Sequence, residues 1–225
     1  AQIARNMLDS GDWVSARLNG VLYLEKSPLK YWMMACSYAM FGVHDWAARL
    51  PVFLSILALA WLVFAMGRWA FGEEAGFYAS LAISTCTGLF LFTRILIPDV
   101  ILTATIALAL WALLRALDED EPSPRFWAAV MALAMGVGLL LKGLIALVFP
   151  LAAGVLYLLF SGQFFVKRTW MRVRPFSGAL LLLLVAAPWH VLATLRNPPY
   201  FDFTMSSGPG QYRGFFWFYF FNAHL

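Results

Sequence analysis

The chain has 225 residues, 62% of them hydrophobic, 17% aromatic and 12% charged, with a mean hydropathy of +0.75, whereas soluble domains carry about 25% charged residues. A soluble globular domain is excluded; ten Trp, eight Tyr and twenty Phe exclude a disordered chain, and no Gly-X-Y period marks a fibrous one. The net charge of +4 does not point to nucleic acid, because the basic residues are scattered between apolar runs and form no single stripe.

The expected fold is all-α and polytopic, with membrane lipids as its solvent. The chain starts at Ala1 without a Met and shows no signal peptide, so it is expected to be a piece truncated at both ends. Residues 1–46 read as an outer-face loop: a polar start to Trp13, a loop at Asn19-Gly20, then an apolar run from Pro28 to Phe41. That run is too short to span, and with Pro28 at its start and Gly42 at its end it predicts a helix lying along the outer face.

A bilayer core about 30 Å thick needs roughly 20 apolar residues as helix. Runs near 48–67, 75–93, 98–117 and 176–195 meet that demand. Residues 126–160 are too long for one crossing and turn at Lys142-Gly143, since a Lys at the bilayer centre is costly and Gly permits the reversal. Residues 47–195 are thus expected to form a bundle of six transmembrane helices. The segment 161–175 carries Lys167, Arg168, Arg172 and Arg174 without an acid, which predicts a cytoplasmic position. Residues 68–74 and 116–125 then lie inside, whereas 1–46, the 94–98 turn, the Lys142 turn and 196–225 lie outside. The aromatic run from Gly214 to Leu225 reads as a second interfacial helix, and Cys36 and Cys86 as packing residues.

Charges cluster against the outer ends of the spans: Glu25, Lys26, Lys30, Arg49, Arg94, Asp99, Lys142, Arg213 and His224. Ionisable groups at membrane depth are expensive and usually functional. The stretch Tyr23 to Trp32 packs an acid, a base and aromatics ahead of a helix, so Lys26 can hold a phosphate and Glu25 a metal or a proton. Glu25 and His224 offer oxygen and nitrogen to a divalent metal ion, the one cofactor the residues suggest. Asp12 reads as a turn former. A six-span transporter is the rival class, but transporters place charges at the midplane, and a non-catalytic scaffold would leave the Glu25-Lys26 word unexplained.

The ordered words Met7 to Trp13, Leu18-Asn19-Gly20, Tyr23 to Leu29, Phe41-Gly42, Ala48 to Pro51, Gly67-Arg68, Phe71-Gly72, Arg94 with Pro98-Asp99, Leu141-Lys142-Gly143, Pro188-Trp189 and Phe218 to Asn222 with His224 carry a family resemblance. The chain resembles the GT-C type glycosyltransferases that use lipid-linked sugars, in the dolichyl-phosphate-mannose protein mannosyltransferase-like branch that includes the lipid A aminoarabinose transferases. The resemblance implies sugar transfer, with inversion, from a polyprenyl-phosphate carrier to lipid A, another envelope glycan or a protein. It implies a bacterial inner membrane and a site facing the periplasm. Glu25, Lys26 and Asp99 are then the expected catalytic residues, and Tyr23, Arg94, Lys142 and Arg213 the expected substrate-binding ones. Lys26, Arg94, Lys142 and Arg213 would meet the charge growing on the departing phosphate, and Asp99 would orient the sugar or the nucleophile. In that family an acidic pair is expected just ahead of Ala1, its Asp the base, and Ser27 stands where the family's Glu-Lys-Pro-Pro word has its first Pro.

Overall fold

The computed structural model describes residues 1–204 and 213–219, and nearly all regular structure in them is helical. The N-terminal stretch holds α1 (Gln2–Ser10), a hairpin of β1 (Arg17–Leu18) and β2 (Val21–Leu22), and α2 (Leu29–Phe41). The strands pair antiparallel with Arg17 opposite Leu22, and the loop predicted at Asn19-Gly20 is their turn. Both turn residues have positive φ, 53° and 82°, which a two-residue hairpin demands and Asn and Gly tolerate. Helix α2 stands where predicted, one residue after Pro28, and Gly42 closes it at φ 82° by donating to the Tyr38 carbonyl.

The bundle consists of α3 (Asp45–Phe71), α4 (Glu73–Ser84), α5 (Thr87–Arg94), α6 (Asp99–Leu117), α7 (Pro124–Lys142), α8 (Ile145–Phe160), the short α9 (Lys167–Val173) and α10 (Pro175–Arg196). The protein is a multi-span membrane protein, with its apolar segments at the predicted places. The count of six is not reached by length: among the described residues four helices can cross alone, and five if α4 and α5 form one span bent by 46°. The break falls where Ser84 and Thr85 turn their hydroxyls back onto the carbonyls of Ser80 and Leu81, competing with the helical ladder, and Cys86 is extended. Helix α8 has 16 residues, about 24 Å at 1.5 Å each, because Gly143 and Leu144 are consumed by the turn. That turn is as expected, with Gly143 at φ 75°.

Two of the loops expected on the same side are in contact. Arg115 pairs with Glu121, Arg168 with Glu119 at 3.0 Å, and Arg172 donates to the Ala116 carbonyl at 2.8 Å, joining the α6–α7 loop to the segment around α9. The basic segment therefore does have an acid, supplied by another loop. At the opposite end Lys142 pairs with Asp99, and Arg49 donates to the Arg94 carbonyl at 3.1 Å.

Two further expectations are corrected. Cys36 and Cys86 are free and exposed, since α2 buries Met34, Ala35, Ser37 and Tyr38 and leaves Cys36 on its other face, while Cys86 lies in the α4–α5 break. The aromatic run is not an interfacial belt over its described part: α11 (Gly214–Trp217) is a single turn, and Phe215, Trp217 and Tyr219 are buried. Their partners are protein rings, which outcompete the interface for burial. Residues 220–225, with His224, lie outside the described residues.

Helices α3 and α4 meet backbone to backbone. A Cβ added to Gly76 would lie 2.6 Å from the Phe64 carbonyl oxygen, and one on Gly67 2.7 Å from the Gly76 Cα. Gly76→Leu is expected to force the pair apart and to lower stability by about 1–3 kcal/mol, read as a lower melting temperature in detergent. An unchanged melting temperature contradicts this packing.

Candidate functional site

The N-terminal stretch and the segment after α10 converge on the far end of α10. Trp189, 6% exposed, donates from Nε1 to the Val14 carbonyl at 3.1 Å and meets the Phe215 ring edge-on at 5.2 Å. Leu24, Leu140, Ala193 and Tyr219 complete the cluster. Beside it Arg196 pairs with Asp12 at 2.9 Å, and Asp12 accepts from the N–H groups of Val14 and Ser15 at 3.0 and 3.1 Å. Asp12 is the turn former the sequence predicts. Burial pushes its carboxyl up, but the Ser15 and Val14 N–H groups and the guanidinium of Arg196 outweigh that and hold it below the usual carboxylate range.

On this base stands the Tyr23 to Pro28 segment. Leu24 is buried on one side, Ser27 and Pro28 on the other, and between them Glu25 and Lys26 are exposed. The Tyr23 hydroxyl donates to Glu25 Oε2 at 3.4 Å, and burial, then the Glu25 charge, raises its pKa. Lys26 has no hydrogen bond or ion pair among the described residues. It lines a small cavity with Tyr23, Leu24, Trp189 and Phe215. The segment thus presents an unneutralised ammonium on a fixed base, the requirement for receiving an anion.

A second group lies at the mouths of α6 and α7. Asp99 and Lys142 form an ion pair with side chains 31% and 36% exposed. The Lys30 ammonium donates to the Leu96 carbonyl, in the turn just before Asp99. Burial lowers the Lys30 pKa, with the Asp99 charge acting against it. Below Asp99 an apolar groove of about 330 Å³ runs past Leu59, Ile83, Leu89, Phe92 and Val100. For the ion pair, a double-mutant cycle of Asp99→Asn and Lys142→Met is expected to give a coupling of about 1 kcal/mol in unfolding, because the pair is partly solvated. Zero coupling contradicts the contact.

The structure therefore gathers Tyr23, Glu25 and Lys26 into one group and Asp99 with Lys142 into another, with Lys30 between them in sequence and in contact with the second. Lys142 is engaged by Asp99 rather than free. Arg94 is exposed and stands off, its guanidinium 4.5 Å from the Phe90 ring centre, and Arg213 pairs with Asp202 at 3.3 Å. Among the described residues no three His, Cys, Asp or Glu side chains are grouped to hold a metal; His224, the proposed partner of Glu25, lies outside them. Sequence reasoning missed the contact of Lys30 with Leu96, the pairing of Arg196 with Asp12 and the bond between Ser27 and Tyr219. Only the Pro188-Trp189 word hinted that α10 carries the base of the site.

The sequence pattern of the family described as dolichyl-phosphate-mannose-protein mannosyltransferase matches residues 25–191. Over 90% of its length the chain is 28% identical to undecaprenyl phosphate-alpha-4-amino-4-deoxy-L-arabinose arabinosyl transferase 1 of Pseudomonas fluorescens, covering 35% of that protein. It is 29% identical to the arabinosyl transferase of the same description from Aeromonas hydrophila, over 97% of this chain and 41% of that one. Its structure is similar to the crystal structure of ArnT from Cupriavidus metallidurans bound to undecaprenyl phosphate, with a TM-score of 0.86 and 29% identity over 99% of this chain and 38% of the other. The same protein in its apo state gives a TM-score of 0.83 and 30% identity, over 93% of this chain and 39% of that one. The chain spans 35% and 41% of the length of these two curated relatives.

Proposed function

The chain belongs to the dolichyl-phosphate-mannose-protein mannosyltransferase family, and from that premise we propose that the protein is an integral membrane glycosyltransferase. It transfers a sugar from a polyprenyl-phosphate carrier to an acceptor at the periplasmic face of a bacterial inner membrane. The relatives' names make an undecaprenyl-phosphate aminoarabinose the first donor to try and lipid A the first acceptor, ahead of other envelope glycans and protein hydroxyls. The observation that carries the proposal is Lys26, an exposed cation with no partner among the described residues, held between buried neighbours.

In the proposed reaction an acceptor oxygen forms a bond to the anomeric carbon with inversion. The bond from that carbon to the phosphate oxygen breaks, its electron pair goes to the phosphate, and the acceptor's proton goes to a base. The leaving phosphate passes from one negative charge toward two, so a fixed cation stabilises the transition state more than the bound donor. Lys26 is assigned that place. Asp99, its carboxylate held by Lys142, orients the sugar or the nucleophile, and Tyr23, Arg94 and Arg213 bind the substrates. The apolar groove below Asp99 suits a prenyl chain. Glu25 and His224 are kept as ligands of a divalent cation, which would add positive charge beside the phosphate, and no step depends on it. The paired charges gather at helix ends rather than at mid-span, which favours an enzyme over the transporter reading.

The test is transfer of a radiolabelled sugar from an undecaprenyl-phosphate donor to lipid A, in membranes holding the full-length protein. Donor-dependent label in lipid A is expected; no transfer from any polyprenyl-phosphate sugar to any of the acceptors contradicts the proposal.

A further inference from the structure

One buried polar contact near Lys26 is used by nothing above. The Ser27 Oγ and the Tyr219 Oη lie 2.6 Å apart, a hydrogen bond in which either hydroxyl can donate, between residues 192 positions apart. Ser27 is 2% exposed and Tyr219 1%. Tyr219 is wedged against Phe215, stacked at 5.1 Å, and against His190 at 5.4 Å. The Tyr23 N–H donates to the Ala16 carbonyl at 2.8 Å and the Pro28 carbonyl accepts from Trp32 at 3.0 Å, but between these two anchors no helix or strand runs through residues 24–27, which present Lys26. Between them side-chain burial holds the segment: Leu24 in the Trp189 cluster on one side, Pro28 and this hydroxyl bond on the other.

We infer that Ser27 and Tyr219 form a latch that positions Lys26, by tying the residue next to it to the segment after α10. The inference rests on the proposed role of Lys26. A buried hydroxyl that loses its partner carries a desolvation cost, so the segment is held at one distance from Tyr219. A proline at position 27 would restrict the same backbone through φ alone; a serine does so only with a partner, and the structure supplies one. Both residues act through Lys26 and are positioning residues, not catalytic ones. Lys26 thereby depends on residues beyond α10, and an ordered Tyr219 becomes a condition for tight phosphate binding.

The test uses full-length protein in detergent, with undecaprenyl phosphate as the binding probe and the transfer assay beside it. Ser27→Ala and Tyr219→Phe each remove one hydroxyl and keep the packing. Each is expected to weaken undecaprenyl-phosphate binding and to lower kcat/KM for the donor about fivefold, the factor that matches a hydrogen bond of about 1 kcal/mol, because the displaced ammonium no longer meets the charge on the departing phosphate. The double variant is expected to be no weaker than either single one, since all three lose the same bond. Unchanged binding in the variants of a wild type that binds overturns the latch and leaves the proposed function standing. A lower melting temperature with undecaprenyl-phosphate affinity and kcat/KM of the folded protein unchanged makes the contact purely structural and also overturns it. A wild type that binds no undecaprenyl phosphate overturns the inference together with the role of Lys26.

Discussion

Replacing Lys26 by alanine is expected to lower kcat/KM for a polyprenyl-phosphate sugar by about a hundredfold, the range found when one preorganised group facing transition-state charge is removed. The size follows from the lack of a well-placed substitute: of the other cations assigned to the phosphate only Arg94 has no acidic partner among the described residues, and it stands off beside Phe90. Lys142 is committed to Asp99 and Arg213 pairs with Asp202, so among the predicted cations near the outer face these two already have acidic partners. Lys26→Arg keeps the charge but spreads it over a planar fork and is expected to recover part of the loss. Steady-state transfer kinetics at matched expression read both; a Lys26→Ala variant within threefold of wild type removes Lys26 from the site.

The second large effect is on stability. Trp189→Ala is expected to cost about 3–5 kcal/mol, as for a buried aromatic side chain truncated in a packed core. Trp189 is the point where the N-terminal stretch and the segment after α10 meet that helix: it donates to the Val14 carbonyl at 3.1 Å and packs on Phe215 at 5.2 Å and Tyr219 at 6.2 Å. Trp189→Phe keeps a ring in the cluster and is expected to recover roughly half of that. Unfolding in detergent checks the pair, and a cost below about 1 kcal/mol for Trp189→Ala contradicts the cluster's part in holding the site.

Hydropathy made the spans legible because a bilayer imposes one length on every crossing, and Gly143 made the α7–α8 turn legible because a sharp reversal needs a residue free to take positive φ. The α4–α5 break was hidden, since Ser84 and Thr85 interrupt the helix through side-chain bonds back to the preceding turn without lowering the apolar character of the run. Tyr219 and Phe215 were misread for a related reason. Aromatic residues serve equally at an interface and in a core, and only the position of Trp189 decides between them. Of the site, Glu25 and Lys26 stood out as a word, whereas the pairing of Asp99 with Lys142 spans 43 residues and that of Ser27 with Tyr219 spans 192. No local pattern encodes such contacts; they appear only when the spans are packed.

The central claim, that Lys26 receives the carrier's phosphate, is tested most directly by comparing undecaprenyl phosphate with undecaprenol as ligands of the full-length protein, in wild type and in Lys26→Ala, without any transfer step. Wild type is expected to prefer the phosphorylated lipid, and Lys26→Ala to lose most of that preference while still binding undecaprenol. An equal preference in the two proteins would contradict it.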